Sequence, residues 1–175
     1  MPLQVLALMK TVTFLSLFFS AAIAHSATVQ CLNQGHKLPF DNSEVEHWMR
    51  SYPDQFKARA HIQGRLSKVL PEATDHQHFE IQIGPSDTDL IEVIYNKQFG
   101  SLPKLNIGSL VEACGDYITA RSPTQFGPAS PAGAIIHWVH ASVSATHPNG
   151  FLIIDGVVYG LRTAQFQQRE GIGND

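Results

Sequence analysis

Between residues 43 and 63 the spacing of apolar positions changes from a helical period to a strand period. Val45, Trp48, Met49 and Tyr52 fall at i, i+3, i+4 and i+7, which lays one apolar stripe along a helix. Ser43 and Glu46 stand in the S-x-x-E arrangement of a capping box, in which hydroxyl and carboxylate satisfy free amides of the first turn. The pattern predicts a helix over 43–52, ended by Pro53, which cannot donate the next helical hydrogen bond. His47 lies off the stripe and reads as a solvated surface histidine. From Phe56 onward, Phe56, Ala58, Ala60 and Ile62 alternate with Lys57, Arg59, His61 and Gln63, the period of a half-buried strand. Gly64 marks a bulge or bend, with "RLSKVL" continuing the strand beyond it.

The same alternation recurs in "HFEIQI", with Phe79, Ile81 and Ile83 on one face, and further strands are expected at 90–95, 110–120 and 134–140. Breaker-rich turns separate them at 71–77 and 84–89. The segment 121–133 carries three prolines and two glycines and reads as a long loop. "FLIIDGVVYG" reads as a hairpin around Asp155-Gly156. Residues 25–42 read as polar and irregular. One helix followed by five or more short strands predicts a mainly β fold, a small barrel or sandwich. Closing the sheet into a barrel removes its exposed edges.

Residues 1–24 follow a different rule. Lys10 precedes an apolar run from Val12 to Ala24 that ends in small residues, with Ala22 and Ala24 in an A-x-A arrangement. This is the pattern of a secretory signal peptide, with Met9 as an alternative start. The other reading, a membrane anchor, needs an apolar run of about 20 residues, longer than this one. The expected organisation is therefore a signal peptide over 1–24, an N-terminal extension over 25–54, a β domain over 55–160 and a polar tail over 161–175. The expected location is periplasmic or secreted, with no transmembrane domain after cleavage. Cys31 and Cys114 would then lie in an oxidising compartment that permits a disulfide between them, the alternative being two free thiols. The formal net charge of −3 argues against a broad nucleic-acid-binding surface, and Lys57, Arg59, Arg65 and Lys68 are the nearest thing to a basic patch.

Chemistry concentrates in "HWVHASVSATHPNG", residues 137–150, with His137, His140 and His147 beside Trp138. "HWVH", six residues, then "HPNGF" and a later Gly156-x-x-Tyr159 resembles the pattern of a family of small exported bacterial proteins of unknown function. That pattern runs His-Trp-x-His, six residues, His-x-x-Gly-Trp. His76, Gln77 and Phe79 match its His-Gln-x-Phe element, and 96–117 resembles its central segment. The resemblance covers roughly 55–160. It implies a five-stranded oligonucleotide/oligosaccharide-binding (OB) barrel, here with one N-terminal helix and a C-terminal hairpin. The chain departs from the pattern at Ala141, Ser142 and Val143, where the family has His-Asp-Pro, at Phe151, where it has Trp, and at Ile154, where it has His. The family brings no assigned activity.

Three readings of the histidines stay open beside an ordinary structural role. His76, His137, His140 and His147, with His78 nearby, could hold a divalent transition metal such as Zn or Cu. Strand alternation opposes this, because His137 and His140 would point to opposite faces of a regular strand. The same four histidines are candidate acid and base groups for a His-dependent hydrolase such as a nuclease or phosphodiesterase. No nucleophile motif such as G-x-S-x-G accompanies them. The third and leading reading is a binding or accessory module for a small polymer or a protein, with Trp138, Phe126 and Arg121 as ligand-binding residues. Against this, Trp138 sits between apolar Ile136 and Val139 and reads more readily as core. Cleavage after Ala24 would expose His25 as an N-terminal copper chelate.

Overall fold

The computed structural model describes residues 29–144 and 146–161. The expected signal peptide, His25 and all but the first residue of the expected tail lie outside the described residues. The elements are β1 (Leu32–Asn33), β2 (His36–Lys37), α1 (Asn42–Ser51), β3 (Lys57–Val69), β4 (His76–Gln82), β5 (Leu90–Asn96), a 3-10 turn (Lys97–Phe99), β6 (Leu110–Thr119), β7 (Ala134–His137), β8 (Phe151–Ile154) and β9 (Val157–Tyr159). Strand β3 pairs antiparallel with β4, β4 with β5, β7 with β6 and β6 with β3, while β5 and β7 run parallel. That circuit is a closed five-stranded OB-type barrel, as expected from the sequence.

Closure depends on β3 being long enough to serve two partners. Its residues Lys57 to Arg65 pair with β6, and Arg65 to Val69 pair with β4. Gly64 sits at the changeover, where a Cβ would lie 2.3 Å from the Gln82 carbonyl oxygen. The bend read from the sequence is therefore a site of backbone crowding that only glycine fits. Strand β6 is shared in the same way: Val111 to Cys114 pair with β8 and Asp116 to Thr119 with β7. The β8–β9 hairpin is thereby fastened to the barrel, with Asp155 and Gly156 in the left-handed region that its tight turn requires.

The inward faces of the strands bury Ile62, Leu66, Phe79, Ile81, Ile91, Val93, Tyr95, Tyr117, Ile136 and Leu152. Helix α1 adds Val45 to this core, with Trp48 and Met49 packed against it. The Trp48 ring lies 5.2 Å from that of Tyr117. Its N-cap corrects the sequence reading. The capping side chain is Asp41, which accepts hydrogen bonds from the Glu44 amide and the Ser43 hydroxyl, so the Ser43/Glu46 box does not form. An aspartate two residues earlier competes successfully because it satisfies the same first-turn donors with a full charge. His47 is exposed, as expected.

The outer face of β3 also differs from expectation. The stretch read as irregular holds the β1–β2 ribbon, turned by Gln34 and Gly35 at positive φ. The Cys31–Cys114 disulfide lies beneath it, its two Cα atoms 5.5 Å apart, packed with Phe151. The segment after the ribbon covers His61, which is only 8% exposed and places Nδ1 2.8 Å from the Leu38 carbonyl and Nε2 2.8 Å from Glu112. Among the described residues no helix is long and apolar enough to cross a membrane.

Candidate functional site

Registers across the barrel assemble a row on its outer wall. Arg59 of β3 pairs with Asp116 of β6, and Asp116 pairs on its other side with His137 of β7. Directly paired residues share a face, so these three stand side by side, opposite to the inward Tyr117 and Ile136. One strand further, β5 brings Val93 beside Ile136, and β4 places His78 opposite Ile94. His76 and His78 alternate with buried Phe79 and so lie on the same outer wall. The wall formed by the second and third barrel strands is the one OB barrels use for ligands.

Contacts confirm the convergence. The rings of His76 and His137 are 5.8 Å apart, those of His76 and His78 6.5 Å apart. Trp138 follows at 4.5 Å from His137 and reaches His147 at 5.4 Å. His140 stacks on Phe99 at 3.9 Å with ring planes inclined by 14°. Two sequence expectations fail here for one reason. Strand β7 stops at His137 instead of running to His140, and Trp138 takes φ +50°. A left-handed tryptophan is an outlier among L residues. It ends the two-residue alternation, so the argument that His137 and His140 face opposite ways no longer applies. It also keeps Trp138 out of the core, half-buried between two imidazoles.

Glycines allow the chain to make this turn. A Cβ on Gly115 would lie 2.4 Å from the His137 carbonyl oxygen, and one on Gly150 would lie 2.0 Å from that of Trp138. The backbone of 137–140 is thus pressed directly onto β6 and the return segment. The loop after it is pinned as well: Asn149 accepts from the Ser142 amide at 2.8 Å through its side chain and from Arg59 through its carbonyl.

Asp116 links the row to the loop. It accepts from Arg59 Nη1 at 2.8 Å and from His147 Nε2 at 2.9 Å. The Arg59 side chain is 4% exposed and also donates towards Cys114 Sγ at 3.2 Å. The sequence reading left Asp116 out and offered Arg59 as part of a basic patch and, with Arg65 or Arg121, as a cation that could stabilise developing charge; in the structure Arg59 is buried and paired with Asp116. The signal available was their opposite charge on neighbouring strands, which becomes informative only once the register is known. His76, His78 and His140 share another feature. Their Nδ1 atoms lie 2.6 Å from the Thr74 carbonyl, 2.6 Å from Glu92 and 2.9 Å from the Ala141 carbonyl. A carbonyl oxygen can only accept, so His76 and His140 carry a proton on Nδ1. Burial pushes the His137 ring down to about 4, with His76, His140 and His78 adding to the effect and Asp116 opposing it. Burial also lowers His140, against the Ala141 hydrogen bond. At neutral pH both rings are uncharged.

The remaining predicted residues stand elsewhere. The loop between β6 and β7 leaves the sheet where Thr119 pairs with Ala134, at the end of β7 away from His137. Arg121 donates to the carbonyls of Met49 and Tyr52 and so caps α1. Phe126, 90% exposed, sits in that loop. Arg65 donates to the Gly108 carbonyl at 2.8 Å. Among the described residues no three His, Cys, Asp or Glu side chains already converge as a bound metal requires. Compared with protein-family models and with curated proteins, the chain matches none, so the barrel topology stands without a family assignment.

Proposed function

We propose that the protein is an exported OB-barrel binding module whose ligand site is the outer wall around His76, His137, Trp138 and His147. The observation that carries this reading is Trp138. Its half-buried ring is held by a left-handed backbone between two imidazoles, at the end of β7, the fifth barrel strand. A disulfide supports export, since such bonds persist in oxidising compartments.

The favoured ligand is an uncharged oligosaccharide. Arg59 is paired with the Asp116 carboxylate, Arg65 and Arg121 lie away from this wall on the backbone carbonyls of Gly108 and of the end of α1, and His137 and His140 are uncharged at neutral pH. Phosphates would therefore meet little positive charge, whereas a sugar ring needs an aromatic face and neutral hydrogen-bonding groups. Fluorescence titration of a Trp48→Phe protein with neutral glycans reads Trp138 alone. Saturable quenching that disappears in Trp138→Ala supports the proposal; an oligonucleotide quenching in its place would move the site to the other polymer class. Quenching by neither, up to millimolar ligand, refutes it.

A second reading rests on His147. Its hydrogen bond to Asp116, itself held by Arg59, has the form of a positioned general base that would activate water for hydrolysis. Turnover of phosphodiester or glycoside substrates that is lost in His147→Ala would favour it over simple binding.

A further inference from the structure

His147 belongs to two surfaces. Its ring lies 5.4 Å from that of Trp138 on the outer wall, and it also lines an open cleft of about 730 Å³. The cleft separates the β1–β2 ribbon, with Leu32, from the segments 142–144 and 147–150, with Val143 and Asn149. Buried Phe151 lines it from β8. One guanidinium fixes both sides. Arg59, its side chain 4% exposed, donates through Nε to the Leu32 carbonyl at 3.3 Å and through Nη2 to the Asn149 carbonyl. Its Nη1 holds Asp116, which in turn holds His147. The disulfide at Cys31 anchors the ribbon side a second time. The cleft is therefore built into the fold before any ligand arrives, as binding sites of this size usually are.

The lining decides the chemistry of the occupant. Among the described residues it contains no Lys, Arg, Asp or Glu, and His147 is its one ionisable side chain. Leu32, Val143 and Leu161 offer apolar surface, at 37%, 72% and 38% exposure. Two carboxamides stand beside them. The Gln30 side chain has no hydrogen-bond partner among the described residues, and Asn149 uses its side-chain oxygen for the Ser142 amide, which leaves its N–H groups to donate. A charged polymer finds no counter-charge there, whereas a sugar presents C–H surface to the aliphatic side chains and hydroxyls to the carboxamides. We propose that this cleft is a second subsite for the same uncharged oligosaccharide, so that one chain passes from Trp138 over His147 and between the ribbon and the loop. The proposal rests on the glycan reading of the outer wall and adds to it a minimum ligand length. It also places His147 beside the linkage that joins the two halves of the bound chain.

The experiment is titration of the oxidised full-length Trp48→Phe protein with neutral gluco-oligosaccharide and N-acetylchito-oligosaccharide ladders, from disaccharide to hexasaccharide, read by calorimetry and by Trp138 fluorescence. In the ladder that binds, the hexasaccharide should bind about tenfold more tightly than the disaccharide. Val143→Asp and Gln30→Ala should each remove most of that gain and leave disaccharide quenching of Trp138 unchanged. Both positions are exposed, so neither substitution threatens the fold. Trp138→Ala should weaken short and long ligands alike. Trp138 quenching of equal affinity at every length, indifferent to Val143→Asp and Gln30→Ala, overturns the cleft proposal and leaves the outer-wall reading standing. Binding by no member of either ladder overturns both. A dimer in sedimentation that Val143→Asp dissociates assigns the cleft to a second copy of the chain and overturns the proposal as well.

Discussion

Reduction of the Cys31–Cys114 disulfide should destabilise the protein by about 4–5 kcal/mol, as much as a severe core truncation. The bond joins positions 83 residues apart. In the chain-entropy account, a loop of that length restricts the unfolded chain by about 15 cal/mol/K, or about 4.5 kcal/mol at 25 °C. Native-state effects act in the same direction. The bridge ties the β1–β2 ribbon to the outside of β6, and that segment covers His61 and abuts Arg59 through the Leu32 carbonyl. Without the tether those buried polar groups gain access to water. The assay is urea denaturation with and without reductant, followed by far-UV circular dichroism, with a Cys31→Ser/Cys114→Ser variant as the thiol-free reference. With a slope of about 2 kcal/mol/M, the oxidised protein should unfold about 2 M higher. A midpoint shift below about 0.5 M would refute the reasoning: it would mean that the ribbon is not held by the bond or that the unfolded chain is already restricted there.

The other predictions concern the cap, the crowded glycines and acid pH. Asp41→Ala should cost about 1 kcal/mol by removing the N-cap acceptor. The Glu44 amide and the Ser43 hydroxyl lower the Asp41 pKa, so this cap contributes fully above the ordinary carboxyl pKa and is lost as pH falls below it through the lowered folded value; the difference between wild type and Asp41→Ala should vanish in acid. Gly150→Ala must move backbone, with a Cβ only 2.0 Å from the Trp138 carbonyl oxygen, and should cost about 2–3 kcal/mol in thermal or urea melts. It should also shift Trp138 fluorescence. His137 resists protonation in the folded state and accepts it when unfolded. Its depression from 6.5 to about 4 therefore gives stability that is full above pH 6.5 and falls as pH drops towards 4, by at most about 3 kcal/mol. Urea midpoints of the chelator-treated protein against His137→Asn, measured from pH 7.5 to 4, check the sign: a stability that rises on acidification contradicts it.

The elements were legible because each rests on local chemistry. Period-two alternation in 56–63 and 79–83 located two strands, and Asp155-Gly156 located the hairpin turn, since backbone sterics act over a few residues. The helix was found within one residue at each end, but its cap was misread because Asp41 and Ser43 both carry capping chemistry and only the backbone path decides between them. The solvated face assigned to β3 failed for a different reason. Alternation reports which residues face the core, not whether another segment later covers the opposite side, as the β1–β2 ribbon and its disulfide do.

The site itself was half legible. The sequence alone determined that His137, Trp138, His140 and His147 lie close together, that His76 and His78 share a strand face, and that two cysteines are available to pair. It did so because proximity along the chain and side-chain alternation are local properties. Only the tertiary structure decided that strand register brings His76 beside His137, and that Trp138 turns left-handed at the end of β7 and stands between His137 and His147. It also decided that Asp116 stands between Arg59 and His137 and holds His147, and that Arg121 caps a helix instead of facing a ligand. Those facts depend on strand register and on backbone contacts such as Gly115 against His137 and Gly150 against Trp138, which join residues far apart in the chain.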